Sequence, residues 1–326
     1  MAKRFFCMFC IVGALVLIVL MGGIANAGPK KSEYLYFVGS TPHYTPVVVA
    51  SVNGYFEEYG LNVKVKTFTS GGMAAQSFAA GQGEFVCSGD FPAAKMWAAS
   101  KGGIIGIHQA ITMRDLSVIV TTNDIKKGSQ LKGKRIGYFA GTNSEFFAAK
   151  FLAVYGLTFQ DVNLKNLRPT EMVVALDRGD IDGFIVWQPF GWRALKVSGN
   201  KVHILETGAK YFANHMIIST RKDIVQNDAD AVIAEIKGMA KAVDFVNNNL
   251  DEATKIVGDF FKIPYDDVKK FLVSMELGLA YNKELRNDMD EVNNFMMTRG
   301  KSKAAIDWKN QFAPQFLEAV NPKYLK

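Results

Sequence analysis

The sequence predicts an α/β protein made of two similar lobes, and three observations carry that prediction. First, a helix, a glycine turn, a buried strand and a proline follow one another twice, in 70–93 (SGGMAAQSFAAGQGEFVCSGDFPA) and in 167–190 (LRPTEMVVALDRGDIDGFIVWQPF). Second, the spacing matches: the helix-ending glycine and the loop proline are Gly81 and Pro92 in one copy, Gly179 and Pro189 in the other. Third, the contexts match, since Phe56 to Leu61 with Tyr59-Gly60 precedes the first copy and Phe151 to Leu157 with Tyr155-Gly156 the second. The repeat is too long for a solenoid. With 326 residues, 49% of them hydrophobic, each lobe can bury a core.

In chain order, residues 1–27 read as a secretory signal. Lys3 and Arg4 form the basic end, Phe5 to Met21 the apolar run, and Ala25-Asn26-Ala27 the small-residue cleavage pattern. The run is short for a membrane anchor, and Gly28 stands where a lipoprotein would need cysteine. Cleavage after Ala27 would leave 36 basic and 31 acidic side chains and one thiol, Cys87, expected as a small core residue.

Glu33 to Val38 reads as the first strand, and a helix containing Val47 to Tyr59 follows it. Between them, Thr41, His43 and Tyr44 crowd one strand end. In an open α/β sheet ligands bind beyond the carboxyl ends of strands, so these residues are expected to face a ligand rather than solvent. Asn62 to Phe68 alternates as a strand and leads to Gly71 and Gly72, where paired glycines either leave backbone N–H groups open to a ligand or only make a tight turn. Gly89-Asp90-Phe91-Pro92 is expected as a loop on the ligand side. There Asp90 would suit a cationic group on the ligand, or else be capped or ion-paired. Ile104 to Ile111 is a further strand, and Leu116 to Thr121 is expected to cross to the second lobe.

Lys134 to Phe139 reads as the first strand after that crossing, and Thr142, Asn143 and Ser144 give a hydroxyl-rich helix start, either a second anion cradle or plain capping. Val162 to Leu167 leads to a helix that Thr170 is expected to cap and Gly179 to end. Phe184 to Trp187 is a buried-strand run, stopped by Gln188-Pro189 in an exposed loop, with Trp187 a wall of the cleft. Val202 to Glu206 and His215 to Thr220 are strands, the second returning the chain to lobe one, with His215 either facing the cleft or buried in the core. From Asp228 onward the spacing predicts helices over 229–246, 250–261, 265–275 and 289–297.

Taken together, Gly54 to Leu61, the Gly71-Gly72 and Gly81 to Phe85 segments, Leu131 to Gly137, Ala175 to Gly183 and Trp187-Gln188-Pro189 resemble the sulfonate/nitrate/taurine group of ABC-transporter solute-binding proteins, which is similar to the thiamin-pyrimidine-precursor binders. The resemblance runs from Tyr34 to Val246. It implies a type II periplasmic binding fold, two α/β lobes joined by two crossover segments with a ligand cleft between them. The division it implies is 1–27 signal peptide, 28–119 first part of lobe one, 120–216 lobe two, and 217–326 the return to lobe one.

The implied function is capture of a small sulfonate, taurine or nitrate type of solute in the periplasm. A monomer would deliver it to an inner-membrane ABC permease with its ATPase. A neutral thiamin pyrimidine precursor is the alternative solute, and a thiamin-precursor-synthase-like enzyme the alternative class. Such synthases carry a cysteine-rich signature that this chain lacks. No G-x-S-x-G, H-E-x-x-H, Walker loop or C-x-x-C occurs after residue 27, and His43, His108, His203 and His215 are scattered, so neither catalysis, cofactor nor metal is expected. No basic block argues for nucleic acid.

Overall fold

A computed structural model describes residues 28–325, and the expected signal segment lies outside them. Two sheets divide the chain. The first has six strands in the order β11-β4-β10-β3-β1-β2, namely Glu276–Ala280, Ile104–Met113, Asn214–Arg221, Phe85–Gly89, Tyr34–Gly39 and Val63–Phe68. The second has five in the order β7-β6-β8-β5-β9, namely Asn163–Asn166, Arg135–Tyr138, Gly183–Trp187, Ser117–Thr122 and Val202–Thr207. The chain passes between sheets at β4 to β5 and returns at β9 to β10. In each sheet three strands run parallel, and the crossing strands join antiparallel: β10 on β3 and β4, β5 on β8 and β9.

The strand sequences read as apolar runs because both faces are covered. Along β1 the side chains of Tyr34, Tyr36 and Val38 enter one core, together with Val47 to Ala50 of α1 (Thr45–Val52), while Phe37 enters the other. That second core holds α2 (Gly71–Ala79) and α3 (Asp90–Ser100) through Phe78, Phe91 and Trp97. In lobe two, Ile119 and Ile185 face α4 (Asn143–Val154), and Val118, Phe184 and Val186 face α5 (Pro169–Arg178) and α6 (Phe190–Ser198). Cys87 is buried, and burial pushes its thiol well above the ordinary range, consistent with a packing role.

Several local expectations are corrected. The first helix stops at Val52 instead of Tyr59, because Gly54 turns the chain at φ +71°. Asp90 opens α3 where a loop is expected, and α6 follows the cis Gln188-Pro189 bond where an exposed loop is expected. The α5 N-cap is Arg168, whose N–H donates to Glu171 Oε2 at 2.8 Å; Thr170 is the exposed second residue of the helix and caps nothing. The C-terminal part is not all helix. After α7 (Lys222–Asn227), α8 (Ala229–Asn248), α9 (Leu250–Phe261) and α10 (Tyr265–Leu272), the strand β11 pairs with β4 before α11 (Lys283–Thr298).

Candidate functional site

The carboxyl ends of β1, β2, β3, β6 and β8 and the amino ends of β5 and β10 converge on one cavity between the sheets. From lobe one it is lined by Thr41, His43 and Tyr44 after β1, by Thr69, Ser70, Gly71 and Gly72 after β2, and by Gly89 and Pro92 after β3. From lobe two come Thr142 and Asn143 at the start of α4, and Trp187 and Phe190 around the end of β8. Leu116, Asn214, His215 and Met216 on the crossing segments complete it.

Two helices aim their first turns at this space. Ser70 caps α2 by accepting from Met73 N–H, and Thr142 caps α4 by accepting from Ser144 N–H at 3.3 Å. The N–H groups of Gly71, Gly72 and Asn143 precede the first intrahelical bonds and donate to no acceptor among the described residues. Such a pair of helix starts favours a negative or strongly accepting group between them.

The glycines divide the work. A Cβ on Gly71 would lie 2.2 Å from the Tyr44 hydroxyl, so that position is bare to admit the tyrosine. A Cβ on Gly72 would meet nothing nearer than 3.7 Å, leaving its N–H approachable.

Aromatic rings form part of the walls. Trp187 packs against Phe139 and Phe190, with ring centroids 6.3 Å apart in both pairs, and the His43 ring lies 4.6 Å from that of Phe271. Burial lowers the His43 pKa to about 3, so its imidazole stays neutral at ordinary pH, with Nδ1 2.7 Å from Thr41 Oγ1. His215 Nε2 lies 2.7 Å from Asp288 Oδ2. Among the described residues no lysine or arginine lines this cavity. None of them groups as three metal-binding side chains either.

Nine of the residues expected from sequence are therefore brought together: Thr41, His43, Tyr44, Gly71, Gly72, Thr142, Asn143, Trp187 and His215. Five are not. Asp90 is fully buried behind the cavity, where Oδ1 accepts from Phe91 N–H at 2.8 Å and from Asn143 Nδ2, and Oδ2 from His215 N–H at 3.2 Å. Burial raises its pKa against these donors. Its carboxyl group ties β10 and the α4 start of lobe two to the start of α3 and is buried away from a ligand. Phe91 packs in the core beside Phe295. Ser144 Oγ is spent on Ile185 O and Phe139 N–H. Gln188 Oε1 is spent on Trp192 N–H at 3.1 Å, and Thr170 sits exposed on α5.

Sequence reasoning missed Thr69, Ser70, Gly89, Pro92, Leu116, Phe190, Asn214 and Met216. Ser70 had a visible signal as the residue before a glycine-led helix. Asn214, which accepts from Asn143 Nδ2 at 2.8 Å, had none, because only the tertiary crossing brings it there.

A family model described as NMT1/THI5 like matches residues 41–253. The chain is 25% identical over 279 residues to a putative aliphatic sulfonates-binding protein of Bacillus subtilis (strain 168), covering 82% of each chain. Its fold is similar to that of the alkanesulfonate-binding protein SsuA from Xanthomonas axonopodis pv. citri, with a TM-score of 0.74, 15% identity and coverage of 87% of this chain and 99% of that one. It is also similar in fold to the desulfurization enzyme DSZB, with a TM-score of 0.69, 13% identity and coverage of 90% and 99%. Likeness of fold alone therefore does not separate capture from catalysis.

Proposed function

Because this chain belongs to the NMT1/THI5 like family, we propose that it is the solute-capturing component of an ABC importer. In this reading it takes a small sulfonate, taurine or nitrate type of anion between its lobes and chemically alters nothing. It works in the periplasm after removal of residues 1–27, as a monomer, and hands the solute to an inner-membrane permease whose ATPase supplies the energy. The lobes are divided at 28–119, 120–216 and 217–326. Supporting that division, β4 and β5 belong to different sheets, as do β9 and β10.

One observation carries the reading: Gly71 and Gly72 in lobe one and Asn143 in lobe two, whose N–H groups are unbonded among the described residues, line the same cavity. A ligand that bonds both helix starts interacts better with the closed arrangement than with an open one, and closure follows as a shift of population. A thiol-based catalytic alternative finds no support there, since among the described residues the cavity lining contains no cysteine and Cys87 is buried.

A neutral pyrimidine precursor remains a second reading, favoured by the aromatic walls and the lack of a lysine or arginine in the lining. Thermal-shift titration of the chain from residue 28 separates them. Ligand at a hundred times Kd stabilises by about 2.7 kcal/mol. Thr142 Oγ1 donates to Phe139 O at 2.7 Å, so Thr142→Ala is expected to act on the anion only through the α4 start it caps, lowering stability by about 1 kcal/mol. Stabilisation by the pyrimidine and by no sulfonate or nitrate would replace the anion reading with the neutral one.

A further inference from the structure

Beyond the main cavity lies a second space, and the two share Ser70, Gly72, Pro92 and Thr142 in their linings. Its sides are two helix faces. Gly72, Ala75, Gln76 and Ala79 recur at helical spacing on α2, and Pro92, Lys95, Met96 and Ala99 do so on α3. Phe139, Ala140 and Gly141 of lobe two close it from the other side. Small side chains keep the space open, and its other lining is apolar except for Gln76 and Lys95.

Lys95 is the one charged residue of this lining. Its ammonium lies 3.4 Å from where a Gly141 Cβ would stand, so it reaches toward lobe two beside the α4 helix start. It has no carboxylate partner among the described residues, although Glu145, the nearest acid along that helix, is already bonded to Lys301 at 2.6 and 2.7 Å and to Gly141 N–H at 2.7 Å. Among the described residues the inner cavity thus has no lysine or arginine, and the outer one has an exposed lysine with no carboxylate partner.

Resting on the anion-capture reading, we propose that the two spaces form one elongated site and that Lys95 selects solutes carrying a second negative group. One anionic end sits at the Gly71, Gly72 and Asn143 N–H groups. A short apolar spacer passes the Pro92 and Thr142 wall, and the second anion meets Lys95. The favoured class is then a sulfonate joined through a short alkyl chain to a carboxylate or another sulfonate.

Calorimetric titration with 3-sulfopropanoate and propane-1-sulfonate, which differ only in the second anion, tests this on the chain from residue 28. The dianion is expected to bind about fivefold more tightly, the upper scale of an ion pair to an exposed lysine, and the advantage should shrink as salt rises. Lys95→Met should bring the two affinities together, Lys95→Arg should preserve their ratio, and Ala99→Phe, which fills the outer space, should abolish it. Equal wild-type affinities, or a preference that survives Lys95→Met, would overturn the assignment of Lys95 while leaving anion capture standing. Binding of neither compound would overturn the dianion assignment, and anion capture itself would fall only if taurine and nitrate also fail to bind.

Discussion

At the scale of single residues, the contact between Tyr44 and Gly71 makes the sharpest demand. An alanine at position 71 would place its Cβ 2.2 Å from the Tyr44 oxygen but 3.4 Å from the ring carbon that bears it. Gly71→Ala is expected to cost about 1–3 kcal/mol as overpacking, and Tyr44→Phe in the same chain should recover much of that loss. A urea-unfolding double-mutant cycle reads the coupling, and strictly additive effects would refute the contact. His43 gives a pH dependence. Its folded pKa, lowered to about 3 by burial, lies below the unfolded value of about 6.5. The unfolded chain therefore takes up a proton that the folded chain resists. The stability this contributes is complete above pH 6.5 and falls by about 1 kcal/mol per pH unit as pH drops toward 3. His43→Gln should flatten the stability profile between pH 6.5 and 4, and an unchanged slope in calorimetric melts would assign the acid sensitivity elsewhere.

At the scale of elements, the sequence was most legible where local chemistry and tertiary packing agree. Gly179 ends α5 at φ +77°, and β8 starts at Gly183, as the glycine turn implied. Thr142 caps α4, and the ends of β1 and β2 deliver the residues expected to line the cavity. Prolines misled the reading of α3 and α6. Pro92 is the third residue of α3, where its missing N–H has no intrahelical acceptor to lose, and Pro189 immediately precedes α6. A proline therefore marks a helix start here as readily as a strand's end. The strand β11 was hidden for another reason. Glu276–Ala280 is only five residues long and becomes a strand by pairing with β4, a partner more than 160 residues earlier in the chain. Asp90 was placed at the right end of its strand and on the wrong side of the wall, because its buried donors come from Asn143 and His215 across the crossing.

At the scale of the whole molecule, α11 spans both lobes. Phe295 packs against Phe91 of lobe one and Phe146 of lobe two, Glu291 pairs with Lys150 at 2.6 Å, and Lys301 just beyond the helix pairs with Glu145. Glu145 is 4% exposed and also accepts from Gly141 N–H, so this clasp touches the loop that lines the outer cavity. Lys301→Ala would leave the buried Glu145 carboxylate with only Arg299 Nε, 4.0 Å away, at a cost of about 1–3 kcal/mol, discounted because the lysine itself is part exposed. It should also loosen lobe two from α11. Small-angle scattering of the ligand-free protein is expected to show a larger radius of gyration than wild type, and identical profiles would show that the clasp does not hold the lobes together.

The strand order has a consequence in time as well as space. All five strands of the second sheet lie within 117–207, so that sheet can pair as soon as its own stretch of chain is available. The first sheet cannot, because β10 fills the place between β3 and β4 and arrives only with residues 214–221. Until then β3 and β4 each hold an open row of backbone donors and acceptors, the kind of edge that recruits foreign strands. A chain delivered from its N-terminus therefore finishes its inserted lobe first, and whatever escorts it must keep two apolar edges apart until the returning strand closes the gap.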